Sequence, residues 1–168
     1  YNGTSLTKVH GGGAGADNAS QWVLFNPSSG ANNLVWSWSN TVNTVTQAVA
    51  FSGTITSGTA GVDYAEATNT GTSTAPAVTI TPKATGSYLF AFFRADTGTN
   101  ACSTNMTQID TQGGFGCRDG EYHFTTASSN VTQNATCANA FWSMMSVAAP
   151  PPAAPATHPR MMFMGVGR

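Results

Sequence analysis

Three histidines, seven carboxylates and three cysteines hold most of the chemistry open to this chain of 168 residues. His10, His123 and His158 fall in a glycine-rich stretch, an expected strand and a proline-rich arm, with no shared spacing. That dispersal does not mark a metal site or a proton shuttle, and no CxxC or His pair accompanies the cysteines. The carboxylates are Asp17, Asp63, Glu66, Asp96, Asp110, Asp119 and Glu121. Glycoside hydrolysis needs two of them facing across a groove. Asp119 and Glu121 share a side only if one strand holds both, and Gly120 between them argues against it. DTGTN at 96–100 is oxygen-rich like a calcium loop, but it lacks the further acidic ligands and closing Glu; it reads as a turn. HGGGAGA at 10–16 would cradle phosphate only ahead of a helix N-terminus, and a strand follows instead. No GxSxG elbow occurs among the many serines. The expectation is no enzyme, no cofactor and no metal.

Cys102 and Cys117 flank a polar loop, and a bridge closing about 15 residues would stabilise the fold by roughly 3 kcal/mol in the chain-entropy treatment. Cys137 is then left over, or is the true partner of one of them; three reduced thiols are the alternative. Five N-x-S/T sequons begin at Asn2, Asn18, Asn105, Asn130 and Asn134. They carry glycans only if the chain passes through a glycosylating secretory route.

The elements that must position these groups are strands. Charged residues make up 8% of the chain, so Thr, Ser, Asn, Gln and Gly must supply the polar surface. A formal net charge of −1 gives no basic field for nucleic-acid phosphates or anionic lipid. Hydrophobic residues at 40% and aromatics at 10% are too many for a disordered chain. β-branched and aromatic residues dominate, and no long segment shows helical spacing, so the class is all-β. No run reaches the eighteen or so apolar residues of a membrane span. The first residue is Tyr1, from which a processed chain or a fragment is expected.

Taken in order, Thr4 to Val9 reads as a strand. Gln21 to Asn26 (QWVLFN) and Asn32 to Ser39 (NNLVWSWS) read as two more, joined by a turn over Pro27 to Ala31. Alternation puts Leu34, Trp36 and Trp38 on one face. Each Trp buries roughly 200 Å² at roughly 25 cal/mol/Å², so the core is expected around them, with Phe51, Phe90 and Phe92. Val45 to Ser52 reads as a strand buried on both sides, Gly53 to Gly71 as a long turn-rich segment. Ala77 to Thr81 places Val78 and Ile80 inward, and Ser87 to Arg94 (SYLFAFFR) is apolar on both faces, as a central strand would be. Ala95 to Gly120 reads as a surface excursion. Glu121 to Thr125 and Ala140 to Ala148 close the domain near Ala149.

Beyond this 1–149 domain, residues 150–160 form a Pro/Ala-rich arm suited to polyproline II. Residues 161–168 follow, apolar at Met161, Met162, Phe163, Met164 and Val166. Left exposed, such a segment is an aggregation hazard, so something should cover it.

YNGTSLTKV, NPSSG, VWSWS, AFSG and GTSTAP, in that order, resemble a β-sandwich module that recurs in bacterial secreted proteins and tailed-phage virion proteins. The resemblance covers roughly Tyr1 to Ala149. It implies an antiparallel, jelly-roll-like or lectin-like sandwich in an extracellular, cell-surface or virion setting, and brings no catalytic residues. In that module an apolar strand precedes the YNG strand; here the matching segment is PRMMFMGVG at 159–167. The reading that follows is a structural subunit of a filament, fibre or capsid decoration, a homo-oligomer whose terminal strand is donated to a neighbour. Two readings stay open beside it: the tail fills its own edge, or it begins the next repeat of a tandem array. A carbohydrate-binding adhesion module is the alternative function, with exposed Trp22 or Tyr122 stacking on a glycan receptor.

Overall fold

Tyr88 to Ala95 alternates in burial along its whole length and lies in the middle of a sheet. A computed structural model describes residues 1–11, 20–37, 48, 50, 52–95, 103–111, 117–124 and 129–153. The strands among them are β1 (Thr7–Gly11), β2 (Ser20–Val23), β3 (Ala65–Ser73), β4 (Ala77–Ile80), β5 (Tyr88–Ala95), β6 (Ser103–Thr104), β7 (Thr107–Thr111), β8 (Cys117–Phe124), β9 (Val131–Thr136) and β10 (Ala140–Ala149). No helix occurs among the described residues, and every strand pairing is antiparallel. The protein is all-β. Among the described residues the strands form three sheets, in the orders β3-β10-β5-β8-β7, β4-β9-β6 and β1-β2.

Prolines and a serine clip make the chain change sheets. After β3, Pro76 cannot donate to a ladder; its carbonyl instead accepts from Ala135 N at 2.9 Å, handing the chain to β9's sheet. After β4, Pro82 is buried, Gly86 takes a φ of 81° that other residues resist, and Ser87 Oγ donates to Ala84 O at 2.7 Å. The chain then re-enters the larger sheet as β5.

Period two decides the core. On β5, Leu89, Ala91, Phe93 and Ala95 are buried to 2% exposure or less, and the register sets them opposite Ala148, Ser146, Met144 and Trp142 of β10. Val78 of β4 and Ala135 of β9 join Phe93, Ala95, Cys137, Trp142 and Met144 in one cluster. Ile80 joins Ala65, Leu89 and Ala148 in a second. Between them lies a polar rung: Ser146 donates to Oε1 of Gln133, and both residues are sealed from water. Ser146 stands opposite Ala67 and Ala91. That row of small side chains leaves room for the longer Gln133.

Several expectations are corrected. Residues 32–37 form no strand, and β2 pairs with β1 instead. Leu34 and Trp36 keep the expected alternation but are only half-buried, and Val35 is 73% exposed. Without a sheet neighbour, alternating hydrophobicity gives a half-covered segment, not a core. Phe90 and Phe92 are half-buried on the face of β5 away from the clusters; because LFAFF is apolar at both parities, Phe93 takes the core position. Ala48 and Ala50 are exposed and outside any strand. The turn-rich 53–71 segment and the 95–120 excursion contain most of β3, all of β6 and β7 and the start of β8, and β9 forms at Val131–Thr136, where no strand is expected from the sequence. Most of these strands are rich in Thr, which fits a pleated surface without an apolar signature. Trp38, Phe51, Cys102, Asn18 and residues 154–168, with the apolar tail, lie outside the described residues, as does the side chain of Cys117.

Candidate functional site

The β1–β2 ribbon gathers aromatic and titratable side chains, and a bulge arranges them. Lys8 stands opposite Trp22, but His10, not Val9, stands opposite Gln21. The extra residue turns His10 onto the face of Gln21. The ribbon therefore has an outer face of Lys8 and Trp22 and an inner face of His10 and Gln21.

The inner face meets the edge of the larger sheet. His10 Nε2 lies 3.5 Å from Glu66 Oε2 of β3, an ion pair when the imidazole is protonated. Those two atoms and Gln21 Oε1 are buried without a hydrogen bond in the structure. Glu66 sits opposite Val147, on the sheet face away from the core clusters. Beside it, Tyr64 is 2% exposed and its ring meets Phe25 edge-on at 5.5 Å. Burial, and secondly the charge of Glu66, push the Tyr64 hydroxyl above its ordinary value of 10.0.

On the outer face, Trp22 is held from three directions yet 39% exposed. Its Nε1 donates to Ser20 Oγ at 2.9 Å. Trp36 packs edge-on at 6.0 Å with an interplanar angle of 72°. Lys8 Nζ lies 5.8 Å from the ring centroid, within cation–π range.

No protein-family model, curated protein or solved structure matches this chain. The site must be read from its own atoms. Among the described residues, no three His, Cys, Asp or Glu side chains gather as metal ligands would, and no helix is long and apolar enough to cross a membrane.

The residues singled out from sequence are dispersed. Asp119 and Glu121 do share one strand, β8, with Gly120 inside it, at register positions opposite Phe93 and Ala91. Asn105 spends its side chain as a clamp, Nδ2 donating to Thr132 O and Oδ1 accepting from Asn134 N, each at 3.0 Å. A glycan there would disturb that clamp. Asn130 accepts from Thr81 Oγ1, Asn2 donates to Ser28 Oγ at 3.0 Å, and Asn134 is exposed on β9. The expected turn near Pro27 is present, closed by Asn32 Nδ2, which reaches Gly30 O at 3.3 Å and Tyr1 OH at 3.4 Å. The pairing of His10 with Glu66 had no sequence signal, because the two lie on strands far apart in the chain.

Proposed function

We propose that the protein is a non-enzymatic structural subunit of an extracellular or virion assembly, a filament, fibre or capsid decoration, built on a jelly-roll sandwich and joined to its neighbours by strand exchange. The strand order supports the jelly-roll part. When an eight-stranded antiparallel ribbon rolls up, first pairs with eighth, second with seventh and third with sixth, and the strands divide between two sheets. Counting from β3, the pairs β3–β10, β4–β9 and β5–β8 are all present, and β10–β5 and β9–β6 join them into sheets. The departure is β7, which pairs with β8. The clusters shared by β4, β5, β9 and β10 are what two facing sheets would bury.

The edge of β3 carries the assembly reading. Among the described residues its one strand neighbour is β10, through nine continuous pairs without a bulge. Thr68, Asn69 and Thr70 are exposed in succession, and Thr72 again. Natural edges are guarded by lysine, proline or bulges; from Ala67 to Ser73 this one has none. Its local protection is Asn69, whose Oδ1 accepts from Thr70 N at 3.0 Å. A six-residue segment such as 161–166 spans about 20 Å as a strand, the length of six positions on this edge.

The test is sizing by light scattering of the full chain, of a chain ending at Ala153, and of Thr70→Lys. The expected result is an assembly that both changes reduce to monomer while the circular dichroism of the sandwich persists. A monomeric full chain, or an assembly indifferent to both changes, overturns the reading. A second reading, a carbohydrate-binding adhesion module, is favoured by the exposure of Trp22.

A further inference from the structure

We infer that the outer face of the β1–β2 ribbon is a binding site for an acidic saccharide, one bearing a carboxylate beside a pyranose ring, with Trp22 as the stacking platform and Lys8 as the anion's partner. The inference rests on the second reading above and names its ligand.

An indole left 39% exposed forgoes apolar burial, and the fold holds this one in place rather than letting it swing. Ser20 Oγ accepts the hydrogen bond from Nε1–H, so the polar edge of the ring needs no ligand. Trp36 packs against the indole in a T-shaped contact. What remains is the part of the ring that Trp36 and Lys8 leave uncovered, held fixed, and a fixed surface costs a ligand less ordering entropy than a mobile one. A pyranose presents the complementary shape, a face of C–H groups ringed by hydroxyls.

Lys8 decides the charge. Its ammonium, 5.8 Å from the Trp22 centroid, already occupies the cation position over the ring, which disfavours quaternary ammonium ligands and favours an anion at the rim. The chain has only six Lys and Arg residues in all, and one stands at this platform. An anionic membrane would also answer to Trp and Lys, but surface binding takes clusters of basic residues or an amphipathic helix. The net charge is −1, and no helix occurs among the described residues.

The experiment is titration of the full chain, followed by tryptophan fluorescence and calorimetry. The probes are an oligoglucuronate, an oligogalacturonate and a sialylated trisaccharide, each against its neutral counterpart, with phosphatidylserine vesicles as a separate arm. At least one acidic probe is expected to bind more tightly than its neutral counterpart, with the preference shrinking as salt rises. Lys8→Gln should remove that preference, a loss of about fivefold at most for an exposed charge pair, and leave neutral sugars unchanged. Trp22→Ala should abolish binding, and Trp22→Phe should retain part of it, which separates a lost platform from a lost fold. Equal binding of acidic and neutral sugars, indifferent to Lys8→Gln, overturns the acidic assignment and leaves the carbohydrate reading standing. Binding of no sugar overturns both, as does binding of vesicles alone.

Discussion

Phe93 and Phe92 are neighbours of identical chemistry on opposite faces of β5, so truncating each in turn tests the whole architecture. Phe93 is 1% exposed and packs in the cluster with Val78, Ala135 and Met144. Its alanine variant loses nearly all of an aromatic side chain's burial and leaves a cavity between β-strands that cannot easily close. Such changes cost about 3–5 kcal/mol. Against a total stability of about 5–15 kcal/mol, that lowers the melting temperature by roughly 10 °C in a chain of this size. Phe92 lies opposite Met145 and is half-buried, so Phe92→Ala should cost under about 2 kcal/mol. Urea denaturation followed by circular dichroism gives both values under one two-state treatment. If Phe92→Ala costs as much as Phe93→Ala, or if Phe93→Ala costs less than about 1 kcal/mol, the assigned face of β5 is wrong. The shared core and the jelly-roll reading then fail with it.

Three other outcomes are expected. Ser146→Ala removes the donor to Gln133 Oε1, and because Gln133 Nε2 is already buried without a partner, the change should cost about 1–3 kcal/mol. Adding Gln133→Met should recover most of that loss, since removing both polar partners is nearly neutral; a double-mutant cycle by urea denaturation reads the difference. A Cβ at Gly71 would lie 3.3 Å from Trp142 Cζ2, so Gly71→Val should displace the indole that donates to Ser73 Oγ and destabilise by about 1–3 kcal/mol, with a changed near-ultraviolet spectrum. Tyr64 retains its proton to higher pH folded than unfolded, so the folded state binds more protons between the two values. Stability should thus be unaffected by this group below pH about 10 and fall as pH rises above it; Tyr64→Phe should flatten that decline in urea midpoints measured across the range.

Composition alone settled the class. Few charges, many β-branched residues and no helical spacing leave strands as the way to satisfy this backbone. The strands dense in large apolar side chains were also legible: β5, expected to be central, lies inside the larger sheet beside β10, and Val78 and Ile80 face inward. The sheet each strand joins was not legible, because pairing is a long-range choice that local alternation does not encode. Thus β3 and β9 escaped notice: their core positions hold Ala65, Ala67, Gln133 and Ala135, small or polar residues whose burial only the facing strands decide. The Trp-rich stretch misled for the converse reason, since large apolar residues dictate burial only where a partner surface exists. The candidate site was mostly tertiary. Trp22 could be named from sequence, and Ser20 lies two residues from it, but the contact with Trp36 and the bulge that turns His10 toward Glu66 depend on how β1, β2 and β3 come together.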